Sequence, residues 1–196
     1  CLCMNKWINS LLVGNGPITI TLSSRKSLMS EENVLDQEVD EVRLMADGRI
    51  IRGASHTCRV LNHKARTKAI IKSVCHLRPM AHTFDSIVCC GTSGLLVAPQ
   101  IAEILDKHIV VVRKDQKCYS DFVVEGVAPN RYIIVDDFIC LGDTIRHIMD
   151  SISEDSPNSR CYGVYCYMGE ECNYRGLPDE LEADLGIKYL NELQLL

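Results

Sequence analysis

Two adjacent carboxylates at the end of an apolar run are the residues best placed for chemistry in this sequence. In "YIIVDDFICLGDT" (132–144), Asp136 and Asp137 close the run, Gly142 and Thr144 follow a few positions later, and a stretch of helical period comes next. A short continuous apolar run bounded this way reads as a strand buried on both faces. A loop and a helix after it put unpaired backbone N–H groups and the positive end of a helix dipole at the strand's carboxyl end. Open α/β sheets bind ligands there, and such a helix start is a ready anion site. Gly142 lets the backbone approach a phosphate closely, and the Thr144 hydroxyl adds a donor. Asp136 and Asp137 would repel the phosphate itself. They suit polyol hydroxyls beside it, or a metal held by the same ligand. The plainer reading is a capped strand–helix turn with solvated acids, but two acids are a costly way to end a buried strand.

A second group carries the opposite charge. Arg113, Lys114 and Lys117 lie in the polar connection 113–121, and 113–117 holds three positive charges against one negative. Three such residues alone would be an ordinary solvated loop. Directly after a buried strand they can hold an anion.

The elements that position these residues alternate. Helical period runs through 59–77, a short buried strand through 85–90, and "GTSG" (91–94) reads as a tight loop. A helix is expected over 95–107, with Pro99 in its first turns. Strands follow at 108–112, 122–126 and 131–137, a helix at 144–153 and a last strand at 161–167. Continuously apolar strands alternating with helices mean an α/β domain, an open mostly parallel sheet with helices on both faces. Upstream, 17–22 alternates like a strand. Residues 30–45 suit a helix capped by Ser30 or an acidic loop, and Asp47-Gly48 between apolar runs signals a hairpin.

Composition bounds the rest. The chain has 196 residues, 46% of them hydrophobic and 24% charged. That is one ordinary domain, large enough to bury roughly 70% of its unfolded surface without a staple. No apolar run approaches the ~18 residues of a membrane span. The formal net charge of −5 argues against a dedicated nucleic-acid binder. The 11 cysteines are an odd count that reads as a reduced, cytoplasmic set of small apolar fillers. Cys161, Cys166 and Cys172 are too loosely spaced for a typical zinc site. A nucleophilic role for Cys1 is the weaker reading. The N-terminal apolar stretch, broken by Asn9, Ser10 and Asn15, makes a poor secretory signal. Neither a GxxxxGK[ST] loop nor a GxGxxG loop after a strand is present.

The segment "VDDFICLGDT" resembles the 5-phosphoribosyl 1-pyrophosphate (PRPP) motif of type I phosphoribosyltransferases: an apolar strand, two acids, two apolar residues and a loop rich in Gly and hydroxyl residues. The resemblance implies that Asp136 and Asp137 bind the ribose hydroxyls and steady positive charge on the ring. The backbone of Cys140, Leu141, Gly142, Asp143 and Thr144 would cradle the 5′-phosphate. Residues 84–114 resemble the pyrophosphate-loop segment of adenine and orotate enzymes, with Gly91, Thr92, Ser93 and Gly94 as the loop. "RKDQKCYS" (113–120) is similar to the R-K-x-x-K-x-[H/Y]-G stretch of orotate enzymes, which assigns Arg113, Lys114 and Lys117 to the pyrophosphate, Lys117 to catalysis and Tyr119 to the aromatic position. Charge building on a leaving pyrophosphate is what such cations stabilise.

This resemblance covers about 56–167 and implies the family's fold with a small hood. The expected organisation is an N-terminal hood or extension at 1–55, the core at 56–170, and a tail at 171–196 that can join the hood. The implied reaction transfers ribose 5-phosphate from PRPP to a nucleobase and releases pyrophosphate. Mg²⁺ would be held by substrate oxygens rather than by protein ligands, and the enzyme would be a homodimer with no nucleic-acid or membrane partner. Several departures matter. Cys140 and Leu141 replace hydroxyl residues or Ala, and Asp143 replaces Gly or Lys. Ser93 stands where a cation is frequent. Cys140 also occupies the position of the catalytic Asp of hypoxanthine–guanine enzymes, which points away from that subclass. Met168-Gly169 stands where orotate enzymes carry Asp-Arg, which points away from orotate. The alternative is a non-catalytic PRPP- or nucleotide-binding regulatory module. His147 is expected at the surface, and Tyr174 and Arg175 in a solvated tail or near the acceptor.

Overall fold

A computed structural model describes residues 40–44, 49–114, 120–169, 183 and 186–192. The expectations for 17–22, for Ser30 and for the Asp47-Gly48 turn lie outside these residues. So do those for Lys117, Tyr119, Cys172, Tyr174 and Arg175. The chain divides into two compact units, 1–58 and 59–196.

In the first unit, β1 (Asp40–Leu44) and β2 (Ile50–Ala54) pair antiparallel, with Asp40 opposite Ala54 and Leu44 opposite Ile50. Residues 40–44 are therefore strand, where the sequence reading has helix or acidic loop through 45. The helix α1 (Ser55–Leu61) follows.

The second unit is built on a six-stranded sheet. Its strands are β3 (Ser86–Cys90), β4 (His108–Val112), β5 (Val124–Gly126), β6 (Arg131–Asp136), β7 (Arg160–Cys166) and β8 (Lys188–Tyr189), in the order β5-β4-β3-β6-β7-β8. Every neighbouring pair is parallel except β4 with β5. Alternation along the strands feeds two cores. Ile87, Cys89, Ile133, Val135 and Tyr165 pack with α2 (His63–Leu77) and α4 (Ala98–Leu105). Val88, Cys90, Ile134, Val164 and Cys166 pack with Ile145, Ile148 and Ile152 of α5 (Asp143–Asp155). Burial on both faces explains why these strands read as unbroken apolar runs.

The expected single helix over 59–77 is two helices. Asn62 breaks it, because its side chain accepts the Ala65 N–H at 3.1 Å as the N-cap of α2. The "GTSG" loop is a one-turn helix, α3 (Gly91–Leu95), and α4 begins only at Ala98, with Pro99 in its first turn as expected. The edge strand β8 had no sequence signal. Ile187 and Leu190 around it are nonetheless buried in the two cores.

Candidate active site

β3 and β6 are parallel neighbours at the middle of the sheet, so their carboxyl ends open side by side. β3 runs directly into α3 through Gly91, whose φ of +69° is a left-handed conformation that favours glycine. β6 ends on Asp136, and the following segment turns at Gly142, φ +83°, into α5. Gly142 is thus the residue before the helix, and its carbonyl takes the Arg146 N–H at 2.9 Å. The 140–144 segment is therefore a helix entrance, as the sequence reading requires. Leu141 is 74% exposed at its tip, and Cys140 is exposed beside it.

The two acids are buried, Asp136 to 6% and Asp137 to 4% exposure. Asp136 Oδ1 accepts the Asp137 N–H at 2.9 Å and the Ser93 hydroxyl at 3.3 Å. Asp137 Oδ1 accepts the Phe138 N–H at 3.0 Å. Burial, then the neighbouring Asp137 charge, pushes the Asp136 carboxyl up to about 8, against the pull of the Ser93 and Asp137 donors. A buried, perturbed acid beside a second acid at a strand's carboxyl end marks a candidate functional site.

Among the basic residues, the Lys114 side chain lies over the start of α3. A Cβ built on Gly91 would sit 3.2 Å from Lys114 Cε and 3.6 Å from its Nζ. Its charge also opposes the rise that burial imposes on the Cys90 thiol. Arg113 sits differently. Its Nη1 bonds Glu125 Oε1 on β5 at 3.0 Å, and its N–H donates to the Val123 carbonyl at 2.9 Å. The Arg113 guanidinium is thus committed to the sheet edge in this structure. His147 is not the surface residue expected. It is half-buried, with Nε2 2.9 Å from the Arg113 carbonyl oxygen, tying α5 to the end of β4. Thr92, Ser93 and Gly94 all lie in α3, with Gly94 packed so closely on Cys89 that a Cβ would fall 2.7 Å from the Cys89 Cβ.

Tyr167 is a residue the sequence reading missed. It leaves the end of β7, donates its N–H to the Asp136 carbonyl at 3.0 Å and its hydroxyl to the Ser93 carbonyl at 3.0 Å. Local sequence carries no signal for a contact across 74 positions.

No protein-family profile and no curated protein sequence matches the chain. Solved structures do match. An orotate phosphoribosyltransferase from Aeropyrum pernix aligns at TM-score 0.54 and 17% identity over 76% of this chain and 82% of that one. An orotate phosphoribosyltransferase from Francisella tularensis aligns at TM-score 0.53 and 11% identity over 76% and 77%. A phosphoribosyltransferase from Corynebacterium diphtheriae aligns at TM-score 0.50 and 16% identity over 71% and 81%. The chain, with its mostly parallel six-stranded sheet, has the type I phosphoribosyltransferase fold.

Proposed function

We propose that this chain is a phosphoribosyltransferase that transfers ribose 5-phosphate from PRPP to a nucleobase and releases pyrophosphate. The observation that carries the reading is the junction of β3 and β6. There a buried acid pair meets a glycine-started helical turn with a lysine above it, Ser93 touching Asp136 at 3.3 Å. Asp136 and Asp137 hold the ribose hydroxyls and face the positive charge that develops as the bond to pyrophosphate lengthens. The Cys140–Thr144 backbone and the start of α5 hold the 5′-phosphate. Thr92, Ser93, Gly94 and Lys114 receive the pyrophosphate end, with Arg113 joining on release of Glu125 and Lys117 supplied by the second subunit. Fixing both ends of PRPP leaves its reacting carbon presented to the base, so rate comes from position and electrostatics.

Magnesium fits this site as a shared ion. Among the described residues no cluster of three acid, His or Cys groups surrounds the pair. Arriving with PRPP, such an ion would keep waters and take its other oxygens from the substrate's phosphates and ribose hydroxyls, beside the acid pair. Bound there, Mg²⁺ would neutralise pyrophosphate charge. We propose a cytoplasmic homodimer in which Lys117 serves the neighbour's site. Mixing Asp137→Asn and Lys117→Ala subunits should then restore activity that neither has alone.

A regulatory PRPP-binding module is the second reading. The Arg113–Glu125 pair favours it, because it leaves fewer cations for pyrophosphate. Mass spectrometry of products after incubation with PRPP, Mg²⁺ and a panel of nucleobases separates the two. A new nucleoside monophosphate supports the transferase. PRPP binding without any product supports the module.

A further inference from the structure

We propose that Tyr167 is a positioning residue that braces α3 against the acid pair, and that Asn191 holds the backbone from which Tyr167 reaches. This rests on the phosphoribosyl-transfer reading of the site for its ligand, and on geometry alone for the brace. Three bonds close a triangle: Tyr167 N–H to the Asp136 carbonyl at 3.0 Å, Tyr167 hydroxyl to the Ser93 carbonyl at 3.0 Å, and Ser93 hydroxyl to Asp136 Oδ1 at 3.3 Å. α3 is a single turn of five residues, too short to hold its shape by its own hydrogen bonds. The Tyr167 ring, 4% exposed, is a rigid spacer with only two rotatable side-chain bonds, and its buried hydroxyl needs the partner it finds. It therefore sets the distance between the turn that would take pyrophosphate and the acids that would take ribose.

Asn191 supports the base of this brace. Its Nδ2 donates to the Cys166 carbonyl at 2.7 Å, and its Oδ1 accepts the Cys166 N–H at 2.8 Å, filling the place of a further ladder partner beside β7. Gly169 permits the approach, since a Cβ there would fall 2.7 Å from Asn191 Nδ2. One residue back, the Leu190 carbonyl lies 2.7 Å from His76 Nε2, which anchors the segment to α2. The segment 187–192 is thus part of the site's support, though Asn191 lies 25 residues from Cys166 in sequence.

The test compares Tyr167→Phe with Tyr132→Phe, which removes another buried hydroxyl, one that lies beside Cys161. Calorimetry measures the affinity of each protein for Mg²⁺–PRPP and for ribose 5-phosphate. Tyr167→Phe should weaken Mg²⁺–PRPP about tenfold, the equivalent of one hydrogen bond, and change ribose 5-phosphate less than twofold. Tyr132→Phe should change neither. Equal loss for both ligands, or the same loss in Tyr132→Phe, overturns the positioning role. Amide exchange reads the brace without any ligand. Tyr167→Phe should speed exchange at the Leu96 and Val97 amides, which bond back to Thr92 and Gly94, and Asn191→Ala should speed it there and at Cys166–Met168. Unchanged exchange at 96–97 overturns the brace. Should the wild-type protein bind no PRPP, the reading of the ligand fails while the exchange result still decides the brace.

Discussion

The Ser93 hydroxyl lies 3.3 Å from Asp136 Oδ1, joining residues 43 positions apart, one in the turn α3 that follows β3 and the other at the end of its parallel neighbour β6. This contact brings the expected pyrophosphate turn and the expected ribose acids into one site. It also places the Asp136 carboxylate where burial and Asp137 both oppose its ionisation.

Asp136 should therefore tax stability as pH rises. Its folded value is raised from 3.8 to about 8, so between these the native state keeps a proton that the unfolded chain releases. Stability falls with rising pH through that window. Asp136→Asn removes the titrating proton with little change of shape. The variant should lose less stability than wild type between pH 5 and pH 8 while losing about 100-fold or more in turnover, or about 2.7 kcal/mol. Thermal unfolding at the two pH values checks it. Parallel pH profiles for variant and wild type would contradict the buried, protonated acid.

Lys114, not Arg113, should be the main described cation for the diphosphate. Lys114 is exposed above Gly91, while the Arg113 guanidinium bonds Glu125 at 3.0 Å. Lys114→Ala should weaken Mg²⁺–PRPP about 10-fold or more and spare ribose 5-phosphate. Arg113→Ala should weaken PRPP less. It should also cost about 0.2–1 kcal/mol of stability, as a partly exposed ion pair does. Calorimetry on both ligands and denaturant unfolding separate the two residues. The reverse ranking would show that Arg113 leaves Glu125 to meet the ligand.

Gly91→Ala should be destabilising and should also disturb the site. At φ +69° a side chain costs about 1–2 kcal/mol, and the added methyl would press on Lys114 Cε at 3.2 Å. Urea unfolding gives the first effect and PRPP affinity the second. A variant as stable as wild type would mean that the β3–α3 junction relaxes to another backbone shape.

Thiol reactivity tests the proposed phosphate loop. Cys75 and Cys140 are exposed, whereas Cys89, Cys90 and Cys166 are buried. Burial pushes the Cys89 and Cys161 thiols up to about 12, which starves them of thiolate. Iodoacetamide should label Cys75 and Cys140 first among the described cysteines, and PRPP should protect Cys140 but not Cys75. Peptide mass spectrometry reads this directly. Protection of neither would place the 5′-phosphate elsewhere.

Legibility followed range of interaction. Residues 132–144 were readable because burial on both faces forces an unbroken apolar run, and the acids, Gly142 and the helix follow locally. The split at Asn62 was hidden because the apolar period continues across it, and a cap signal inside a periodic run is outweighed. β8 has two residues, too few for any period. The Arg113–Glu125 pair exists only once β5 folds back antiparallel on β4, and the His147 contact only once α5 packs beside the end of β4. Tyr167 and Asn191 act through single long-range bonds, and neither residue type is distinctive where it stands.

Base-dependent release of pyrophosphate from PRPP is the most direct test of the central claim. With Mg²⁺, PRPP and a panel of purine and pyrimidine bases, the wild-type protein should release pyrophosphate with at least one base, and Asp137→Asn should release it about 100-fold more slowly or not at all. Failure with every base despite tight PRPP binding, or full activity in Asp137→Asn, would contradict the assignment of the acid pair to phosphoribosyl transfer.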